Sequence, residues 1–313
     1  MTGSATASAP ATSGTREAYR DALIEAMLAD ERVVCLDSDT GLFAGVDFGA
    51  AAGRYINLGI AEQNLLGVAA GLARSGRIPV VNTMAAFAAT RALEAVKVDV
   101  AYAGLPVRIA ATHSGLSAGH LGPTHHSLED LAIMRTMPGM TVLVPADAAA
   151  TRELFLQSLE LPGPVYLRLG RGPTPDLDAG PPVILGQVQE LRAGTDITIA
   201  ACGPYPVEAA LEAAAELAAR GVQARVLNVH TVKPLDVHGL ASRGPVVTVE
   251  EHWEAGGLGS AVAETLAETG TRRVLRVAIR DHFVSMAGGH QYLLTRAGIT
   301  AEAVVTRALA ALG

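Results

Sequence analysis

Cysteine, aromatic rings, charge and long apolar runs are all scarce in this chain, and each scarcity excludes something. Two cysteines in 313 residues, Cys35 and Cys202, leave no disulfide framework, and both sit in apolar, strand-like runs that fit a reducing compartment. Aromatic residues make up 4%, so the core has to be built from Ala, Val and Leu. Charged residues reach only 18% against 50% apolar, which excludes a disordered chain and supplies a sizeable buried interior. Lys and Arg number 24 against 31 Asp and Glu, a net charge of −7 with no basic cluster, so no nucleic-acid partner is expected. No apolar stretch reaches the ~18 to 20 residues of a membrane span, so no membrane partner is expected and the cytoplasm is the expected location. Residues 1–14 are rich in Ser, Thr and Ala and lack the basic start and apolar stretch of a secretory signal; the expectation is a disordered tail.

What is present is an alternation of helical and strand periods. Thr15 is a candidate cap for a helix over 16–29, with Glu17 in its first turn. Strand patterns follow over 32–36, 54–58, 78–82, 106–112, 141–144 and 164–169, and helical patterns over 61–74, 85–102 and 148–159. The Pro- and Gly-rich run GPTPDLDAGPP opens a linker placed over 172–186. Beyond it the alternation resumes, with strands over 197–201, 225–229, 246–249 and 274–279 and helices over 207–220, 258–268 and 300–312. The fold class is α/β: two consecutive domains, 15–171 and 187–313, each an open, mostly parallel sheet flanked by helices.

Open parallel sheets place chemistry beyond the carboxyl ends of their strands. There the segment NLGIAEQN puts Glu62 in the first turn of an apolar helix. A carboxylate at that end gains about 0.3 to 1 kcal/mol from the helix terminus, so a helix-start role explains it as well as a chemical one. The loop THSGLSAGHLGPTHH, residues 112–126, carries four of the nine histidines. Its Gly and Pro content leaves little side chain to pack. No cysteine or carboxylate completes a metal-ligand spacing around it, whereas histidines so placed can contact a polar substrate or move protons.

The runs NLGIAEQNLLGVAAGLA, VNTMAAFAATRALEAVK, ATHSGLSAGHLGPTHHSLEDLAIMR, TVLVPAD, HTVKPLD and TVEEHWEAGGLG follow in the order seen in transketolases. After residue 14 the chain resembles the C-terminal half of that family: the pyrimidine-binding domain over 15–171 and the transketolase C-terminal domain over 187–313. In many bacteria that half is a separate subunit. The resemblance implies a transferase moving a two-carbon ketol unit from a ketose to an aldose, with thiamine diphosphate and Mg²⁺ as cofactors. The family's Gly-Asp-Gly metal motif does not occur here. The resemblance therefore implies an N-terminal partner subunit carrying the diphosphate-binding domain and the metal ligands, an α2β2 heterotetramer, and an active site shared between subunits.

By position, Glu62 matches the glutamate that hydrogen-bonds the aminopyrimidine ring nitrogen, and Phe87 the aromatic that stacks on that ring. His113 and His125 match histidines that contact substrate or the reacting end of the cofactor. Asp39 matches an acidic residue near the cofactor, and Ile60 and Met84 fall among its lining positions, Met84 where the family has an aromatic. Arg16 and Arg171 match arginines that hold a sugar phosphate. The departures concern substrate: His120-Leu121 stands where the family has an acidic pair, and Phe43 where it has a serine. His120 is counted with the substrate contacts, while His126 has no counterpart and is expected to face solvent. Cofactor chemistry retained with an altered donor implies an unusual or specialised-pathway sugar. The alternatives are acyl transfer from a 2-oxo acid, as in deoxyxylulose-phosphate synthase or 2-oxo acid dehydrogenase β subunits, and a non-catalytic regulatory subunit. In the second domain, HTVKPLD and GGLG suggest subunit packing.

Overall fold

The computed structural model describes residues 14–177, 180–241, 244–270 and 272–313. The tail expected over 1–14 lies outside them except for Gly14, which bridges to Pro173. The first half contains α1 (Thr15–Ala29), β1 (Val33–Asp37), β2 (Tyr55–Asn57), α2 (Glu62–Arg74), β3 (Ile78–Met84), α3 (Ala85–Ala88), α4 (Leu93–Ala95), β4 (Arg108–Thr112), α5 (Asp130–Thr136), β5 (Thr141–Leu143), α6 (Ala148–Ser158) and β6 (Val165–Arg168). The second contains β7 (Gln189–Arg192), β8 (Ile197–Cys202), α7 (Pro204–Ala219), β9 (Ala224–Asn228), β10 (Thr231–Lys233), β11 (Val246–Trp253), α8 (Leu258–Thr269), β12 (Val274–Ile279), α9 (His290–Ala297) and α10 (Ala301–Leu312).

Two sheets result. The first runs β10-β5-β6-β4-β3-β1-β2 and is parallel except for β10; the second runs β12-β11-β8-β9-β7 and is parallel except for β7. Strands such as VVCLD in β1 and RIAAT in β4 are buried throughout, as sheets covered on both faces require. Among the described residues no helix is long and apolar enough to cross a membrane.

Two local expectations are corrected, and two motifs expected to serve subunit packing also make contacts within the chain. Gly14 rather than Thr15 caps α1; Thr15 is its first residue, and its hydroxyl accepts from the Gly170 amide at 3.0 Å, tying the helix start to the loop after β6. The helix expected over 85–102 breaks into α3, a turn, α4 and a π-helical stretch over Val96–Ala101. Within the break, the Thr90 hydroxyl donates back to the Ala86 carbonyl at 2.5 Å and the Ala92 amide reaches the Phe87 carbonyl at 3.0 Å, five residues back. Finally, the HTVK segment forms β10 and pairs antiparallel with β5, Thr231 opposite Leu143, so this motif packs within the chain. The GGLG glycines do the same: a Cβ on Gly257 would strike the Glu250 carboxylate, which accepts from the Leu258 and Gly259 amides at 2.6 and 2.8 Å and caps α8.

The halves are joined by a buried ionic centre. Arg168 grips Asp130 through two hydrogen bonds of 2.8 and 3.1 Å and donates to the carbonyls of Ser127 and, across the halves, Glu251. Tyr166 adds a third bond to Asp130 at 2.8 Å.

Candidate active site

The expected site residues follow carboxyl ends of strands in the first sheet. Asp39 lies after β1, Ile60 and Glu62 after β2, Phe87 after β3, where Met84 is the last residue, His113 and His125 after β4, and Arg171 after β6; Arg16 opens α1. Asp39, Ile60, Glu62, Met84, Phe87 and His125 line one cleft of about 450 Å³, together with Ser38, Thr40, Arg91 and Thr124.

Glu62 is the first residue of α2, whose capping position, Ala61, has no side chain able to cap. Its carboxylate is 2% exposed and accepts from Arg91 Nη1 at 3.0 Å. The Arg91 guanidinium carbon stands 4.5 Å from the centre of the Phe87 ring, and that ring meets the His125 imidazole edge-on at 5.3 Å. Below the cleft the Asp37 carboxylate accepts from Asn82 Nδ2 at 2.6 Å, the Thr40 hydroxyl at 2.9 Å and the Tyr55 hydroxyl at 3.1 Å, bracing the turn that carries Asp39. Asp39 itself accepts from Asn57 Nδ2 at 3.3 Å.

Asp39 and His113 are the two non-glycine residues with left-handed backbone among those described, at φ 61° and 58°. Such strain costs on the order of 1–3 kcal/mol and clusters where function needs a side chain aimed against the backbone's preference. His113 is buried, with Nδ1 3.0 Å from the Thr112 hydroxyl. Burial, and then the positive charges of Arg16, Arg171 and His125, push its pKa down to about 4, so the imidazole is neutral at neutral pH. His113, Arg16 and Arg171 thus form a basic group beside the cleft, although none of the three lines it.

The histidine loop is held from behind by the second half. The Leu116 amide donates to Glu251 Oε1 at 2.5 Å, and His290 Nε2 meets the same oxygen at 2.8 Å. Gly115, at φ 60°, lies so close to Glu251 that any Cβ would strike its carboxylate.

Three expected positions fall elsewhere. His120 is exposed on the turn Gly119–Leu121 and does not line the cleft. His126, expected to face solvent, is buried because the Gly115–Ser127 bridge draws this end of the loop inward; its ring lies against the Val284 backbone without closing a hydrogen bond. Phe43 is 3% exposed and packs on Phe48 and Tyr55 and does not line the cleft. Sequence reasoning missed Arg91, since a continuous helix would have left it as an ordinary surface arginine; the signal available was its place four residues after Phe87. Among the described residues no group of three His, Cys, Asp or Glu is placed to hold a metal.

The chain matches the model of the transketolase pyrimidine-binding domain over residues 12–175 and that of the transketolase C-terminal domain over 186–304. It is 44% identical, over 94% of its length and 92% of the relative's, to the 6-deoxy-6-sulfo-D-fructose transketolase subunit SqwH of Clostridium sp. (strain MSTE9). Identity is 38% to an apulose-4-phosphate transketolase subunit of Phocaeicola vulgatus, covering 94% of this chain and 96% of that one. A solved structure described as a split gene transketolase, inactive beta4 tetramer, superimposes with a TM-score of 0.86 at 43% identity, covering 96% of this chain and 98% of that chain.

Proposed function

Because the chain belongs to the transketolase family, we propose that it is the pyrimidine-binding half of a two-subunit transketolase that moves a two-carbon ketol unit from an unusual ketose to an aldose. The observation that carries this reading is the buried Glu62 carboxylate, bound to no backbone amide among the described residues, sharing a cleft with the Phe87 ring. An aminopyrimidine needs a carboxyl group at its ring nitrogen and a face to stack on, and these two side chains fit it. Thiamine diphosphate, when bound, supplies the electron sink for carbon–carbon cleavage.

The chain's own residues do the rest. Glu62 holds and moves the proton at the ring nitrogen. His113, neutral at neutral pH, and His125 contact the sugar's oxygens, with Phe87 fixing the edge of His125. Arg16 and Arg171 hold an anionic far end of the donor, a phosphate or sulfonate. Leu121 and Phe43 cannot make the family's polar contacts, which favours an altered donor, as do two relatives named for sulfofructose and apulose phosphate. Mg²⁺ ligands come from an N-terminal partner carrying the diphosphate domain, in an α2β2 assembly; a similar chain described as an inactive beta4 tetramer supports the need for that partner. The domain boundary belongs at 172–186, where one family match has ended and the next begins. Two buried free cysteines support a cytoplasmic location.

The test uses the assembled two-subunit enzyme. Glu62→Gln lowers ketol transfer by roughly 10² to 10⁴ without loss of fold. Unchanged turnover would leave the non-catalytic reading standing. A donor panel of phosphorylated and sulfonated ketoses beside pyruvate separates the transketolase from the 2-oxo acid reading, which requires pyruvate to be consumed.

A further inference from the structure

Arg91 makes, with one flat group, the same two contacts that the proposed pyrimidine ring requires. It donates to Glu62 at 3.0 Å and covers the Phe87 ring at 4.5 Å. A guanidinium is planar, pairs with carboxylates and stacks on aromatic faces, so it imitates a protonated heteroaromatic ring. With the Glu62 side chain only 2% exposed, Arg91 covers the little of the carboxylate that is open. Arg91 itself is 51% exposed, on the turn between α3 and α4, so solvent rather than protein covers its outer side. It has somewhere to go: beyond Glu62 lies a second space of about 580 Å³, lined by Arg91, Gln63, Asn64 and Asp99. Asp99 makes no hydrogen bond or ion pair among the described residues and offers Arg91 another carboxylate.

We propose that Arg91 is a latch on Glu62, occupying the pyrimidine position in the cofactor-free chain and swinging toward Asp99 when thiamine diphosphate enters. This rests on the cofactor reading of the Glu62–Phe87 cleft. An ion pair exposed on its arginine side plus one cation–aromatic contact correspond to a penalty of roughly 5- to 30-fold on cofactor affinity. The experiment titrates thiamine diphosphate, with Mg²⁺ in excess, into the assembled two-subunit enzyme by calorimetry and follows association by stopped-flow fluorescence. Arg91→Met tightens binding about 5- to 30-fold and speeds association. Asp99→Asn, which removes the open-state partner, weakens binding by about 2- to 5-fold. The double variant R91M/D99N matches R91M alone, because Asp99 acts only through Arg91. Binding by R91M that is equal to or weaker than wild type overturns the latch, and so does a D99N effect that persists in the double variant. Failure of the underlying reading looks different: wild type, R91M and D99N would then all fail to bind the cofactor, and both proposals would fall together.

Discussion

Phe43, which the resemblance sets at a position of a family serine, does more than lack a hydroxyl. Its ring lies 5.6 Å from Phe48 and 5.7 Å from Tyr55, and Tyr55 in turn donates to Asp37 beneath the cleft. In a chain with so few aromatics this cluster is a large share of the local packing, so Phe43 belongs to the core. Phe43→Ser therefore costs about 3 to 5 kcal/mol, as large-to-small changes at buried aromatic sites do, and adds no anion contact. The check is denaturant unfolding of the variant, whose midpoint falls at unchanged slope; an unchanged midpoint would deny the ring its core role. Single residues also show where sequence reading stops. The left-handed backbone at Asp39 and His113 leaves no mark in the sequence, since glycine is the residue that ordinarily signals it. The sequence marked both positions as candidates; their strain left no sign in it.

Elements were legible in proportion to their burial. β1, β4 and β8 are buried on both faces and read as apolar runs, so strand patterns alone located them. β7 and β10, of four and three residues, lie at sheet edges and pair antiparallel, so nothing in their periodicity set them apart from loop. The break after α3 was hidden because Ala-rich sequence keeps helical spacing across it, while the Thr90 hydroxyl bond that accompanies it is a three-dimensional fact. The histidine loop, by contrast, was identified by composition, but what holds it was not: Asp130, Arg168 and Glu251 are far apart in sequence. Asp130→Ala tests that support. It removes the carboxylate that Arg168, 4% exposed, grips and leaves the Tyr166 hydroxyl unpaired, costing about 3 to 5 kcal/mol. Unfolding measurements should show the loss, and limited proteolysis should open the chain within 113–126. A variant as stable and as resistant as wild type would mean that the loop stands without this centre.

At the scale of the whole molecule, the buried histidines set a limit on acid tolerance. Burial pushes His113 and His230 down to about 4 from an ordinary 6.5, and lowers His126 as well. Between these values the unfolded chain binds protons that the folded chain refuses. Stability is therefore complete above about pH 6.5 and drains away as pH falls toward 4, by about 3 kcal/mol for each of His113 and His230. Buried carboxylates oppose this: Glu250, Glu129 and Asp147 are pushed up by burial and take protons more readily folded than unfolded. The histidine contribution is isolated by His230→Leu, since His230 is fully buried and lies in neither the cleft nor the basic group. Unfolding free energies measured at pH 7, 6 and 5 should fall less steeply for the variant, its stability gaining on wild type by about 1 kcal/mol per pH unit in the middle of the window. Parallel pH profiles for the two proteins would mean that His230 takes up its proton as readily folded as unfolded, and the acid limit would then rest with His113 and His126.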